Sequence, residues 1–346
     1  MSLASALRDH DVARLPGKRD EDWRWTDLRG LIRVLPPGSP AYDGPVAAGP
    51  FGGLGEGEVL FVNGRVRGDE ELLTLAAGQT RTVRLRFVSA AAGASHSVQA
   101  KVRVGAGASL TLLESYEGQA AGYLADAGLD IVLEPGARLE RVVLTVDAAD
   151  AVSVSTASVT LAASARLSQC TLSDGAKRQR LETRVLHPGV GAAVRLDGTY
   201  LLAGQRHADC TTVVTHAGAD GTTEQLIKGV TADQSRGVFQ GRIVVAQGAD
   251  RTDARMGHHA LILSERAEID AKPELEIYAD DVSCAHGNTV GALDEEALFY
   301  AEQRGIPAAQ ARAMLTEAFI GEVIDRIGHE GAREAARAWA AQRLRT

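Results

Sequence analysis

The chain has 346 residues and a net charge of −8; 45% of its residues are hydrophobic, only 4% are aromatic, and 37 are glycine. A folded chain this long hides roughly three quarters of the surface it exposes when unfolded, so one large domain with appendages and two domains both fit. Its acidic balance, with basic residues spread along the chain, argues against nucleic-acid binding, which needs a clustered basic footprint.

Three cysteines, Cys170, Cys210 and Cys284, are too few and too uneven in number for a disulfide framework. The opening MSLASALRDHDVARLPGKRDED has no apolar core of signal-peptide length, and no run of about 18 apolar residues occurs that would cross a membrane as a helix. The expectation is a cytoplasmic protein. With so few aromatics, the core must be built from Val, Leu, Ile and Ala, which suits a fold that stacks small aliphatic residues in layers.

Residues 1–78 are mixed. LASALRDHDVARL (3–15) and RDEDWRWTDLRGLIRVL (19–35) read as short amphipathic helices, and the Pro/Gly-rich stretch 36–57 reads as a loop. In VLFVNGRV, Asn63-Gly64 between apolar residues is a hairpin signal.

Residues 79–292 change character. Short Val/Leu-rich runs alternate with Gly, Ala and Asp breaks. A loose motif recurs as VGAGASL (104–110), LEPGARL (133–139), LAASARL (161–167) and, degenerately, LHPGVGAAV (186–194). Its spacing of about 28 residues lies in the range of solenoid periods. A mainly β fold follows, with a parallel β-helix preferred to a sandwich or barrel because small residues recur at matching points.

Residues 293–346 switch to helix. Asp294, Glu295 and Glu296 favour a helix start, Gly305 a stop, and Pro307 the first position of a second helix. Ala311, Met314, Leu315, Ala318, Phe319, Val323 and Ile327 lie at helical spacing and predict one apolar stripe. Gly328 ends that helix, and 330–344 predicts a third. Such a terminal cluster packs on its own chain, caps a solenoid or docks a partner.

DDVSCAHGNTVG (280–291) carries the sharpest local signal. If the segment is extended, Cys284 and His286 share one face, their Cα atoms about 6.6 Å apart at roughly 3.3 Å per residue. A thiolate and an imidazole suit iron or zinc, but a tetrahedral site takes about four donors. The rest would come from elsewhere, with another chain favoured. Read alone, the pair is more often a buried Cys beside a satisfied His.

Elsewhere in the chain, His207 and Asp209 alternate away from Cys210 and His216, which splits that cluster. His258-His259 reads as a surface or loop pair and Cys170 as a small core residue. No phosphate-binding loop, nucleophile elbow or zinc-protease motif occurs, so nucleotide hydrolysis by this chain is not expected.

Residues 224–325 closely resemble the SufB/SufD family. The matching motifs include SRGVFQGRI, KPELEIYADDV and LDEEALFY, and RDEDWRWTDL is similar to the family's helical entry segment. The triplet region, CAHGNTVG, resembles the SufD branch, which carries a CSHGATVG-type motif. SufB members typically have Asn where Cys284 stands and Glu after the His. Ala285 and Asn288 depart from the motif, and Met256-Gly257-His258-His259 replaces a stretch where the family tends to carry Gln and Asn.

The resemblance implies a right-handed parallel β-helix core flanked by N-terminal and C-terminal helical segments. It implies a non-catalytic scaffold for iron–sulfur cluster assembly, pairing with SufB, with two copies of the SufC ATPase docked on the C-terminal helices. ATP hydrolysis would come from SufC. A transient iron–sulfur cluster would form at the SufB–SufD interface, where His286 and Cys284 match the implicated pair, and nothing is held firmly by the chain alone. Phe299, Tyr300 and Phe319 are the candidate SufC contacts. The alternatives are a homodimeric SufB-like scaffold and a β-helix carbohydrate-active enzyme.

Overall fold

A computed structural model describes residues 2–68 and 72–344. The body of the molecule is a parallel β-solenoid of about eight coils. After an opening hairpin that starts with β1 (Gly57–Val62), successive strands alternate between two sheets. One sheet holds β1, β2 (Arg65–Arg67), β4 (Thr80–Ser89), β6 (Ser109–Gly118), β8 (Arg138–Val146), β10 (Arg166–Ser173), β12 (Ala193–Leu202), β14 (Thr222–Thr231), β16 (Thr252–Ile262) and β18 (Val282–Gly291). The facing sheet holds β3 (Leu72–Leu75), β5 (Ser95–Val104), β7 (Leu124–Leu133), β9 (Val152–Leu161), β11 (Arg178–His187), β13 (His207–His216), β15 (Arg236–Val245) and β17 (Glu268–Ile277). Asn63 and Gly64, both at positive φ, turn β1 back onto β2 as the hairpin signal predicts.

The recurring sequence motif is the corner between the two sheets. Each copy puts one residue in the left-handed region: Gly107, Gly136, Ser164 and Gly191, at φ 57 to 69°. The residue after it is Ala108, Ala137, Ala165 or Ala192, each fully buried. Only a small side chain fits where two sheets converge, and glycine meets the positive φ without strain. The corners stack through backbone bonds, such as Gly107 N–H to Pro135 C=O and Gly136 N–H to Ala163 C=O. The period therefore arises from corner chemistry, and the aliphatic layers between the corners fill the interior.

The two outer faces are covered differently. Helices α4 (Ala308–Ile324) and α5 (Glu330–Arg343) lie on the ten-stranded sheet. Ile320, Val323, Ile324, Ile327 and Trp339 pack there on Leu113, Val142, Leu144, Cys170 and Leu172. The buried side of α4 is rotated from the predicted stripe: Thr316 and Ile320 are buried, whereas Met314 is 49% exposed. Cys170 is a core residue beneath these helices, and burial pushes its thiol far up.

The N-terminal segment straps the eight-stranded sheet. Helix α1 (Leu3–Asp9), opened by a Ser2 capping box, covers only the first half of the predicted 3–15 helix, because His10 turns left-handed and a separate 3-10 turn follows at Val12–Arg14. Residues 19–35 give only single turns, at Glu21–Trp23 and in α2 (Leu28–Leu31), in place of the predicted helix. The reason is that the sheet uses this segment's polar groups. Arg180 Nη1 donates to the Asp22 carbonyl (2.7 Å), His207 Nε2 to the Trp25 carbonyl (3.1 Å), and Thr26 Oγ1 to Asp209. A regular helix would have spent those carbonyls on itself.

Candidate functional site

The last coil has no successor. Strands β17 and β18 are both sheet edges, each paired on one side only. Every residue from Ala285 to Ala292 is exposed. Helix α3 (Glu295–Gln303), capped by Asp294, follows β18 and packs against α4, and none of its residues is buried. The solenoid interior is thus uncovered at this end.

Register fixes what the open end presents. Cys284 pairs with Ala254, His286 with Met256 and Asn288 with His258. Ala254, Met256 and His258 are buried inward-facing residues of β16, so alternation turns Cys284, His286 and Asn288 inward on the uncovered coil. Cys284 packs at the margin of the cluster formed by Tyr200, Phe239 and Met256. It is half-buried, and burial raises its thiol pKa. His286 is exposed. Facing them across the opening, β17 offers Leu275 and Ile277, the latter 42% exposed.

The expected shared face of Cys284 and His286 therefore forms, and it is accessible. Among the described residues, no three His, Cys, Asp or Glu side chains gather closely enough to hold a metal ion. The strand places one thiol and one imidazole on the same face, within about 7 Å of each other.

The other sequence candidates separate from it. His207 and Asp209 face the N-terminal strap, while Cys210 and His216 face the interior. Burial pushes the Cys210 thiol up to about 12. Phe299 and Tyr300 are 63% and 61% exposed on α3. Phe319 is half-buried on its own chain, with the Lys228 ammonium 4.4 Å from its ring and Lys228 paired to Glu322.

His258-His259 is not a surface or loop pair. The two residues lie within β16, with His258 fully buried and His259 facing out to Thr289 Oγ1 at 2.7 Å. The residues missed from sequence are His258 and its partner Asn288, 30 positions apart. The coil period would have brought them together.

The family model for the SUF system FeS cluster assembly SufBD core domain matches residues 87–319. The chain belongs to the SufBD family. Iron–sulfur cluster assembly protein SufD of Escherichia coli (strain K12) is 38% identical over 156 residues, which are 45% of this chain and 37% of that protein. SufD of Bacillus subtilis (strain 168) is 32% identical over 145 residues, 40% of this chain and 33% of that protein. A SufBD family protein of Synechocystis is 26% identical over 383 aligned positions, covering 91% of this chain and 84% of its own length. The matches to the two SufD proteins thus span about a third of each of those proteins. The SufBD core match runs from β4 into α4 and takes in the whole open end with Cys284 and His286.

Proposed function

We propose that the chain is the SufD-type scaffold subunit of an iron–sulfur cluster assembly complex, with a SufB-type subunit closing its open end. What supports the reading is the pair of half-buried Cys284 and exposed His286 on an uncovered terminal coil. Two donors fall short of a tetrahedral shell, so a facing chain would complete this half-site for iron or a nascent cluster. The edge strands β17 and β18 carry unpaired backbone N–H and C=O groups, and these invite strand addition. Val290, 46% exposed on β18, belongs to the surface that the partner would cover.

The SufC-type ATPase would dock on the C-terminal helices, with Phe299 and Tyr300 as its exposed anchors. Hydrolysis there would move the helices, and α4 would carry that motion to the outer face of the sheet through Lys228, Glu322 and Phe319. The chain itself performs no catalysis in this scheme. The test is co-expression of Val290→Lys with both partners. A lysine at the rim abolishes pairing with the SufB-type subunit and leaves ATPase capture intact. Undiminished pairing contradicts the assignment of the open end as the interface. Mass measurement of the chain alone detects the competing homodimer, which the same unpaired edges would form.

A further inference from the structure

A line of three hydrogen-bonded side chains ends at the half-site. Tyr200 on β12, His258 on β16 and Asn288 on β18 all face the interior. Tyr200 and His258 are both fully buried. The tyrosine reaches past β14 because Gly229 lies in its way without a side chain; a Cβ there would sit 2.0 Å from the ring. A Cβ at Gly237 would sit 2.4 Å from the same ring. His258 is stacked flat on Phe239, with centroids 4.7 Å apart and planes 7° apart. Its Nε2 lies 2.9 Å from the Tyr200 hydroxyl, and its Nδ1 lies 2.6 Å from Asn288 Oδ1.

These contacts set the protons. Burial lowers the His258 pKa to about 4, so the ring is neutral at physiological pH and carries one N–H. An amide oxygen only accepts. The Nδ1 hydrogen therefore goes to Asn288, and the Tyr200 hydroxyl donates to Nε2. While its carbonyl accepts from His258, Asn288 keeps two unused N–H donors on its Nδ2 amide. No acceptor among the described residues takes those two hydrogens. Asn288 is exposed and two residues from His286 on the same face of β18.

Building on the half-site reading above, we infer that Asn288 is a third binding group of the open end. It presents amide N–H donors to an anionic sulfur acceptor, either sulfide or a ligand thiolate, beside Cys284 and His286. His258 and Tyr200 are positioning residues that aim this amide. Hydrogen bonds to cluster sulfurs tune the potential and lability of iron–sulfur centres, and outer partners that orient a binding group matter nearly as much as the group itself. His258 and Asn288, two of the positions where the chain departs from the pattern it resembles, are the two ends of one hydrogen bond, so they act as a unit.

The test has two readouts. In the isolated full-length chain, nitrogen-15 NMR of the imidazoles finds the Nδ1–H tautomer at His258. Asn288→Asp keeps that tautomer because its carboxylate still accepts, while Asn288→Ala loses it. An Nε2–H tautomer in the native chain overturns the inference. In the reconstituted complex, Asn288→Asp assembles a cluster that EDTA removes about three- to tenfold faster, the worth of one hydrogen bond. An unchanged rate of loss with normal assembly defeats the role of Asn288 alone. A native complex that gains neither iron nor sulfide defeats the half-site reading itself.

Discussion

His187 and His216 meet edge to face inside the solenoid, their ring centroids 4.1 Å apart and their planes at 89°. His187 Nε2 is hydrogen-bonded to His216 Nδ1, and His216 Nε2 lies 2.8 Å from Thr223 Oγ1. Gly221 leaves room for them; a Cβ there would be 2.5 Å from His187 Cε1 and 2.6 Å from His216 Nδ1. The contact needs one ring nitrogen donating and the other accepting, so the two rings cannot both be protonated, and burial favours the neutral form of each.

Burial lowers the two pKa values to about 4 and about 3. The ordinary value is about 6.5, so the unfolded chain binds more protons between these limits. The pair's contribution to stability is complete above about pH 6.5 and is lost as pH falls through about 4 towards about 3. Asp147 and Asp197, each raised to about 6 by burial, act in the opposite sense. The histidine effect is therefore read as a difference. Between pH 6.5 and 4.5 the urea midpoint of the native chain falls more steeply than that of His216→Gln. Parallel pH profiles would refute this.

Arg180 is the fully buried anchor of the N-terminal strap. Its guanidinium pairs with Asp209 at 2.6 Å and Glu182 at 2.9 Å and lies 4.5 Å from the Trp23 ring centre. Arg180→Met leaves Asp209 buried without its cation and costs about 3–5 kcal/mol. Trp23→Ala, which removes only the ring, costs about 1–2 kcal/mol. Chemical denaturation gives both numbers, and equal losses would contradict the hierarchy.

Gly229 and Gly204 test the same substitution in two settings. Gly229→Ala drives a methyl into the Tyr200 ring, whereas Gly204, at φ 66°, has nothing within 4 Å of an added Cβ. Overpacking at position 229 costs about 1–3 kcal/mol or more. At position 204 only backbone strain remains, of about 1 kcal/mol. Thermal denaturation of the two variants checks the order.

The aromatic residues of the C-terminal helices divide by exposure. Phe299→Ala with Tyr300→Ala removes two exposed rings, leaves the melting temperature unchanged and weakens co-purification of the proposed ATPase partner. Phe319→Ala loses contacts on its own chain and costs about 1–2 kcal/mol. A stability loss in the first variant, or none in the second, would reverse these roles.

Much of this organisation is legible in the sequence because it is local. The corner motif shows through its Gly–Ala pairs, the helix boundaries through Asp294, Gly305 and Pro307, and the shared face of Cys284 and His286 through simple alternation. What escapes is set between coils or between segments. His258 looks like a surface residue until the coil period places it beside Asn288. The segment around Trp23 reads as a helix because its amphipathic pattern is the same whether it packs as a helix or lies as a strap. The rotation of α4, which exposes Met314, depends on the grooves of the sheet beneath it.

The half-site stands or falls on His286. Iron and acid-labile sulfide should be counted in the purified three-component complex carrying His286→Ala, beside the native complex. A clear drop in both counts, with subunit ratios and ATPase binding unchanged, is the predicted result. Native levels of iron and sulfide in the variant would contradict it.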